Sequence, residues 1–167
     1  MRSAYLEKYG GPEVLKIGDL PDPVPAPDQV VVDVVAASVN GADWKVCAGE
    51  YNHPSFPVIL GRDFSGVVAA VGAGVTDLRI GDEVFGVLET GRDGTYCEKL
   101  AIGAAIVAKK PAALSHVDAT ALARRLTKAE IILDEYQLPL VAEAVPLFGQ
   151  SGDDRYAAVD KMLLKGV

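Results

Sequence analysis

The side chains able to hold a metal are few and scattered. The sequence has two histidines and two cysteines, His53, His116, Cys47 and Cys97, and no CxxC or HxxxH pair among them. A zinc ion needs several such ligands converging at short spacing, so no metal site is expected. His53, ahead of Pro54 in a loop, and His116, at a helix start, read as ordinary surface histidines. Phosphate binding is the next chemistry to test. Val71-Gly72-Ala73-Gly74-Val75 opens like a dinucleotide-binding turn, but Asp77 stands where the third glycine belongs. The chain then runs through Leu78-Arg79-Ile80-Gly81-Asp82 instead of into a helix, so a glycine turn between strands is the better reading. Gly149-Gln150-Ser151-Gly152 lacks the lysine of a P-loop. For nucleophilic catalysis there is no GxSxG, and neither histidine stands beside a serine or cysteine in a known arrangement. Lys45 near Cys47 would favour a thiolate, yet a small buried hydrophobe is the role that fits Cys47 better.

The elements that must position any site are mostly strands. The pattern over residues 29–38 puts Val30, Val32, Val34 and Ala36 on one face and Val31, Asp33 and Val35 on the other, which suits a strand covered on both sides. Further strands are expected at 66–71, 83–87, 95–102 and 105–108, with Gly, Asp and Pro clusters between them, as in an antiparallel sandwich or barrel. Pro21, Pro23, Pro25 and Pro27 alternate and impose an extended connector. Gly41 and Gly49 bracket a short helix over 43–49. After about Ala123 the character changes. A helix is expected over 126–136, and a second after the capping-box-like Ser151-Gly152-Asp153-Asp154, with Tyr156, Val159, Met162 and Leu163 on one packing face.

Composition narrows the class. The 167 residues are 50% hydrophobic and 23% charged, with a formal net charge of −7, which argues against a wholly disordered chain. An acidic balance without a Lys/Arg cluster excludes nucleic acid as a partner. The aliphatic stretch 30–39 is far too short to span a bilayer, and the N-terminal residues lack the apolar core of a signal peptide. Two distant free thiols fit a reducing compartment, so a cytoplasmic location is expected.

A resemblance adds what composition cannot. In order come Tyr9-Gly10-Gly11-Pro12-Glu13-Val14-Leu15, Ala37-Ser38-Val39-Asn40-Gly41-Ala42-Asp43-Trp44 and Gly49-Glu50-Tyr51. Then follow Pro57-Val58-Ile59-Leu60-Gly61-Arg62-Asp63-Phe64-Ser65-Gly66-Val67-Val68, and Gly72-Ala73-Gly74-Val75 leading to Gly81-Asp82-Glu83-Val84-Phe85-Gly86. Together these resemble the medium-chain dehydrogenase/reductase superfamily, in its zinc-independent quinone oxidoreductase and enoyl-reductase-like branch. The resemblance covers about residues 1–123. It implies a mainly β fold, a GroES-like, partly open β-barrel with short helices. Zinc enzymes of the superfamily carry cysteine where Asn40 stands and His-Glu where Arg62-Asp63 stands, so the resemblance implies no zinc here. It implies NADPH as the cofactor of the full-length family, and a quinone or an activated alkene such as an enone as the small-molecule substrate.

The resemblance also suggests site residues. Asn40 is the candidate for a polar group beside the nicotinamide and substrate, a cofactor-binding and catalytic position, although a helix N-cap explains it equally well. Tyr51 matches a pocket tyrosine, or is packed aromatic surface, and Lys45 lies near the matched pocket segment, where a solvated lysine is the simpler account. Asp43 and Asp63 read as structural carboxylates, with Arg62 paired to one of them. Cys47 stands where relatives often have arginine, which weakens any cofactor contact there.

Residues 111–115 and 118–123 match the family's lead-in to its Rossmann domain, but residues 124–167 do not continue into one. They are expected to form a helical tail in its place, which leaves the Rossmann domain absent and NADPH binding by this chain alone doubtful. Two readings follow. One is the substrate-side domain of an NADPH-dependent oxidoreductase, truncated and inactive alone. The other is a non-catalytic barrel module, its exposed cleft covered by a second copy or another protein.

Overall fold

Valine-rich segments set the sheets. The structure, a computed structural model, describes residues 1–51, 55–88 and 94–130, with side chains up to position 123. Strand β1 (Arg2–Leu6) and β2 (Lys16–Asp19) precede β3 (Gln29–Ala37), helix α1 (Gly41–Ala48), β4 (Val58–Ile59) and β5 (Asp63–Val71). Then come β6 (Glu83–Val87), β7 (Lys99–Gly103), β8 (Val107–Lys109) and helix α2 (His116–Glu130). The strands form two open antiparallel sheets, ordered β2-β1-β4 and β7-β3-β5-β6-β8. The fold is mainly β with short helices, as the sequence led us to expect.

Strand β3 is an inner strand of the larger sheet, pairing β5 on one side and β7 on the other. Its first half is covered on both faces, with Val30, Val31 and Val32 all buried, but Val35 is 57% exposed, so two-sided covering ends midway. The register against β5 shifts between Val31 and Val32 and again between Val34 and Ala36. Such irregularities bend and twist a strand, and here they curl the sheet around its core. Gly66 on β5 is required by that close pairing, since a Cβ there would meet the Asp33 carbonyl oxygen at 2.1 Å. The core packs Val30, Val32, Phe64, Val68, Val84 and Leu100. Burying a side chain as completely as Phe64 contributes about 1.5–3 kcal/mol, so this cluster dominates the stability of the sheet.

Several boundaries differ from the sequence reading. The strand expected at 95–102 begins at Lys99, because Cys97 instead makes an isolated bridge to Ser3 of β1. The strand expected at 105–108 is a single 3-10 turn over Ala104–Ile106 followed by β8. Helix α2 starts earlier than the one expected over 126–136 and overlaps it only to Glu130. The remainder of that segment and the helix expected after Ser151 lie outside the described residues.

Helix α2 is fastened to the barrel by both packing and charge. Ala119 and Ala123 pack on Phe85. At its entrance the Ser115 hydroxyl accepts the Asp118 backbone N–H at 3.1 Å, a cap that satisfies an otherwise orphaned donor. Glu83 of β6 then gathers two side chains on one carboxylate, Lys110 Nζ at 3.1 Å and His116 Nε2 at 3.2 Å. The Lys110 side chain is only 4% exposed, and its ammonium also donates to the Leu114 carbonyl at 2.6 Å. His116 Nδ1 lies 2.7 Å from the Ser65 hydroxyl, so this histidine is a strut between helix and sheet and no free surface side chain.

The hydrogen bond from Lys110, followed by its charge and that of His116, holds the Glu83 carboxyl below its ordinary value. A depressed carboxyl contributes stability above its unfolded value and loses it as pH falls through the folded one. Glu83→Gln is therefore expected to lower the melting temperature at neutral pH. The gap between variant and parent should close below about pH 4, measured by thermal melts across pH. A gap that is unchanged in acid would contradict this role.

Candidate functional site

The residues singled out by their resemblance to pocket positions gather around α1. Asn40 follows β3 in extended conformation and is the N-cap of α1, joined to Asp43 in a capping box. Gly49 ends the helix at φ +83°, a left-handed value that glycine adopts without strain, while the Tyr9 ring packs against it. This short helix thus has defined ends, and its orientation is set by a buried polar knot.

Asp63, at the start of β5, is 1% exposed and accepts two hydrogen bonds on one oxygen. Ser38 Oγ donates to Asp63 Oδ2 at 2.7 Å and Asn40 Nδ2 donates to the same atom at 2.6 Å. A carboxylate can only accept, so the Asn40 amide must turn its nitrogen toward Asp63. Asp43, 5% exposed, accepts the Asn40 backbone N–H at 2.6 Å and the Tyr96 hydroxyl at 2.8 Å. Hydrogen bonds to a buried charge contribute about 1.5–3 kcal/mol each, so removing either carboxylate would release the N-terminus of α1. Asp63 Oδ1 is buried with no partner among the described residues, which leaves an acceptor for one more donor.

The knot limits what Asn40 can offer. One amide hydrogen goes to Asp63 and the capping box uses the side chain's acceptor, so one amide hydrogen remains, 3.4 Å from Ser38 O and Oγ. The two roles weighed for Asn40 are therefore not exclusive, because it caps α1 and still has one weakly engaged donor. Asp43 and Asp63 are structural carboxylates, as expected. Arg62 pairs with neither: its guanidinium donates to the Leu88 carbonyl through Nη2 at 2.7 Å and Nε at 3.3 Å. Arg62 precedes β5 and reaches Leu88, while Asp63, the first residue of β5, turns to Ser38 and Asn40.

On the outer side of α1, Trp44 is 57% and Tyr51 50% exposed. Lys45 Nζ lies 5.6 Å from the Trp44 ring centroid and 6.0 Å from that of Tyr51. Asn40, Lys45 and Tyr51 thus belong to one end of the molecule. Cys47 is buried with Leu6, Val58 and Leu60, and burial pushes its thiol up, with Glu13 adding to the shift. It is a core residue and no nucleophile. His53 lies outside the described residues. Trp44 and Tyr96 were not singled out from the sequence: Trp44 only closed the motif at 37–44, and Tyr96 reaches Asp43 across 53 residues. A cavity of about 380 Å³ opens elsewhere, lined by Met1, Ile59, Leu88, Leu100 and Ile102, and it includes none of Asn40, Lys45 and Tyr51.

Comparison with known proteins now places this geometry. Residues 26–124 match the alcohol dehydrogenase GroES-like domain. The quinone oxidoreductase of Lama guanicoe is 32% identical over 160 residues, which are 95% of this chain and 48% of that protein. The structure of Escherichia coli quinone oxidoreductase complexed with NADPH superposes with a TM-score of 0.73 at 31% identity, covering 82% of this chain and 42% of that one. The chain belongs to the alcohol dehydrogenase GroES-like family, in the quinone oxidoreductase-like branch of the medium-chain dehydrogenase/reductase superfamily. It spans about half the length of these relatives. A stretch of 51 residues is 71% identical to methylaspartate ammonia-lyase of Citrobacter amalonaticus, 30% of this chain but 12% of that protein. So small a share carries no activity across.

Burial, followed by the Asp43 hydrogen bond, raises the Tyr96 hydroxyl far above its ordinary value. Tyr96 is therefore a fixed neutral donor. A raised value adds stability that is fully present below the unfolded value of about 10 and is lost as pH rises through the folded one. Alkaline unfolding is expected to start above about pH 10 and to be blunted in Tyr96→Phe, with a lower stability at neutral pH. Circular dichroism across pH checks this, and parallel curves for the two proteins would contradict it.

Proposed function

We propose that residues 1–123 form the substrate-side wall of a zinc-independent, NADPH-dependent oxidoreductase acting on quinones or activated alkenes, with residues 124–167 a separate segment. The observation that carries this reading is the buried Asp63–Asn40–Asp43–Tyr96 knot lying directly beneath an exposed aromatic and cationic face. The end of the family match at residue 124 supports the boundary.

The donor set argues for the zinc-free reading. At the positions where zinc relatives carry their ligands, the Asn40 amide nitrogen is spent on Asp63 and the Arg62 guanidinium on a carbonyl. Neither has a lone pair to give a cation. For NADPH the fit is one-sided. Asn40 and Lys45 would face the nicotinamide end, whereas the Gly72–Gly74 turn, packed on the Ala26 and Pro27 carbonyls and continuing into β structure, offers no phosphate cradle. When bound in a complete cleft, NADPH supplies the hydride. The chain's own part is to orient the substrate: the weakly engaged Asn40 amide hydrogen leaves Ser38 and donates to the carbonyl oxygen where negative charge gathers, and Tyr51 covers one side of the ring.

A hybrid tests this. Residues 1–123 would replace the matching portion of the E. coli quinone oxidoreductase, and NADPH oxidation would be followed with quinones and enones. Turnover is expected, lowered about tenfold or more in kcat by Asn40→Ala, while the 167-residue chain alone is expected to show none. A folded hybrid that binds NADPH but reduces no quinone or enone would overturn the reading.

A further inference from the structure

At the α1 end of this acidic molecule the charge of Lys45 is not spent on any described part of the protein. Its ammonium makes no hydrogen bond or ion pair among the described residues, and its contacts are the two rings, 5.6 Å from the centroid of Trp44 and 6.0 Å from that of Tyr51. The nearest acid in sequence on the same helix, Asp43, is turned inward and already accepts from Asn40 and Tyr96. Lys16, Lys99, Lys109 and Lys110, by contrast, each pair with a carboxylate. A chain of net charge −7 that leaves this ammonium unneutralised keeps one place where an anion is attracted.

The surroundings say what kind of anion fits. Val39 is 83% exposed, Trp44 57% and Tyr51 50%, so apolar surface borders the charge. A ring within about 6 Å of a cation holds it electrostatically without consuming its N–H donors. The two rings thus restrain Lys45 while leaving its three donors to a ligand. An indole face presented to solvent is a stacking platform for a flat π system.

We propose that Trp44, Lys45 and Tyr51 form a specificity patch for a planar conjugated carboxylate, its carboxylate on the Lys45 ammonium and its conjugated system on the Trp44 indole. This deepens the functional reading and rests on it in one respect, that the outer face of α1 looks into the reaction cleft. Lys45 then selects among activated alkenes by charge, a role separate from any contact it makes with the cofactor.

The test is a binding measurement on the intact 167-residue chain without NADPH, so that its failure is separate from failure of the hybrid enzyme. The sequence contains one tryptophan, and the Trp44 indole N–H therefore gives a single assignable signal in the 15N-labelled protein. Cinnamate and its neutral counterpart cinnamamide are titrated at low ionic strength. Cinnamate is expected to shift that signal saturably and to bind about fivefold more tightly than the amide. The preference should disappear in Lys45→Met, return in Lys45→Arg, and shrink as salt is added. Equal binding of both probes, a preference retained in Lys45→Met, or no shift with either probe would each overturn the proposal.

Discussion

One carboxylate oxygen holds the α1 end of this molecule together. Asp63 Oδ2 accepts from Ser38, just past the end of β3, and from Asn40, at the cap of α1. Asp63 itself stands at the start of β5, whose pairing with β3 is the longest in the sheet. The turn from strand to helix is thus clamped to the neighbouring strand by a charge that water cannot reach. Buried charge is tolerable only when it is hydrogen-bonded, and the cost of leaving these donors unpaired enforces the geometry. Asp43 repeats the device one turn further on, tying the Asn40 backbone to Tyr96. What projects outward from α1 is then fixed by what is bonded underneath it.

A second clamp works at the other end of the described chain. Glu83 gathers Lys110 and His116 and so holds the entrance of α2 against β6. The two clamps differ in kind. The Asp63 knot is sealed from solvent and sets the face of a short helix, whereas the Glu83 cluster is partly exposed and supplements an apolar contact of Phe85 with Ala119 and Ala123. The barrel between them carries the stability, and the clamps carry the orientation.

How far the sequence revealed this depends on the range of the interactions. The valine pattern of β3 and the glycines around α1 are local signals, and both elements formed where they were expected. Strands β1, β2 and β4 were not foreseen. They are short, β4 has two residues, and they exist through pairings between distant segments such as Tyr5 with Ile59. The position of Asn40 was legible from its motif, but its bond to Asp63 crosses 23 residues and leaves no periodic trace. Arg62 and Asp63 looked like partners because they are neighbours, but each is taken by a residue distant in sequence, Leu88 for Arg62 and Ser38 and Asn40 for Asp63. His116 looked free because Glu83 lies 33 residues away from it in sequence.

The account stands on the claim that the Asp63 knot, more than the packing of α1, sets the functional face. Hydrogen exchange on Asp63→Ala beside the parent chain tests this most directly, under conditions where β3, β5 and β6 remain protected in both. The account predicts that amides of residues 41–48 lose protection in the variant by about tenfold or more, while the strands keep theirs. Undiminished protection of α1 in a folded Asp63→Ala chain would show that packing alone places the helix, and would contradict the central claim.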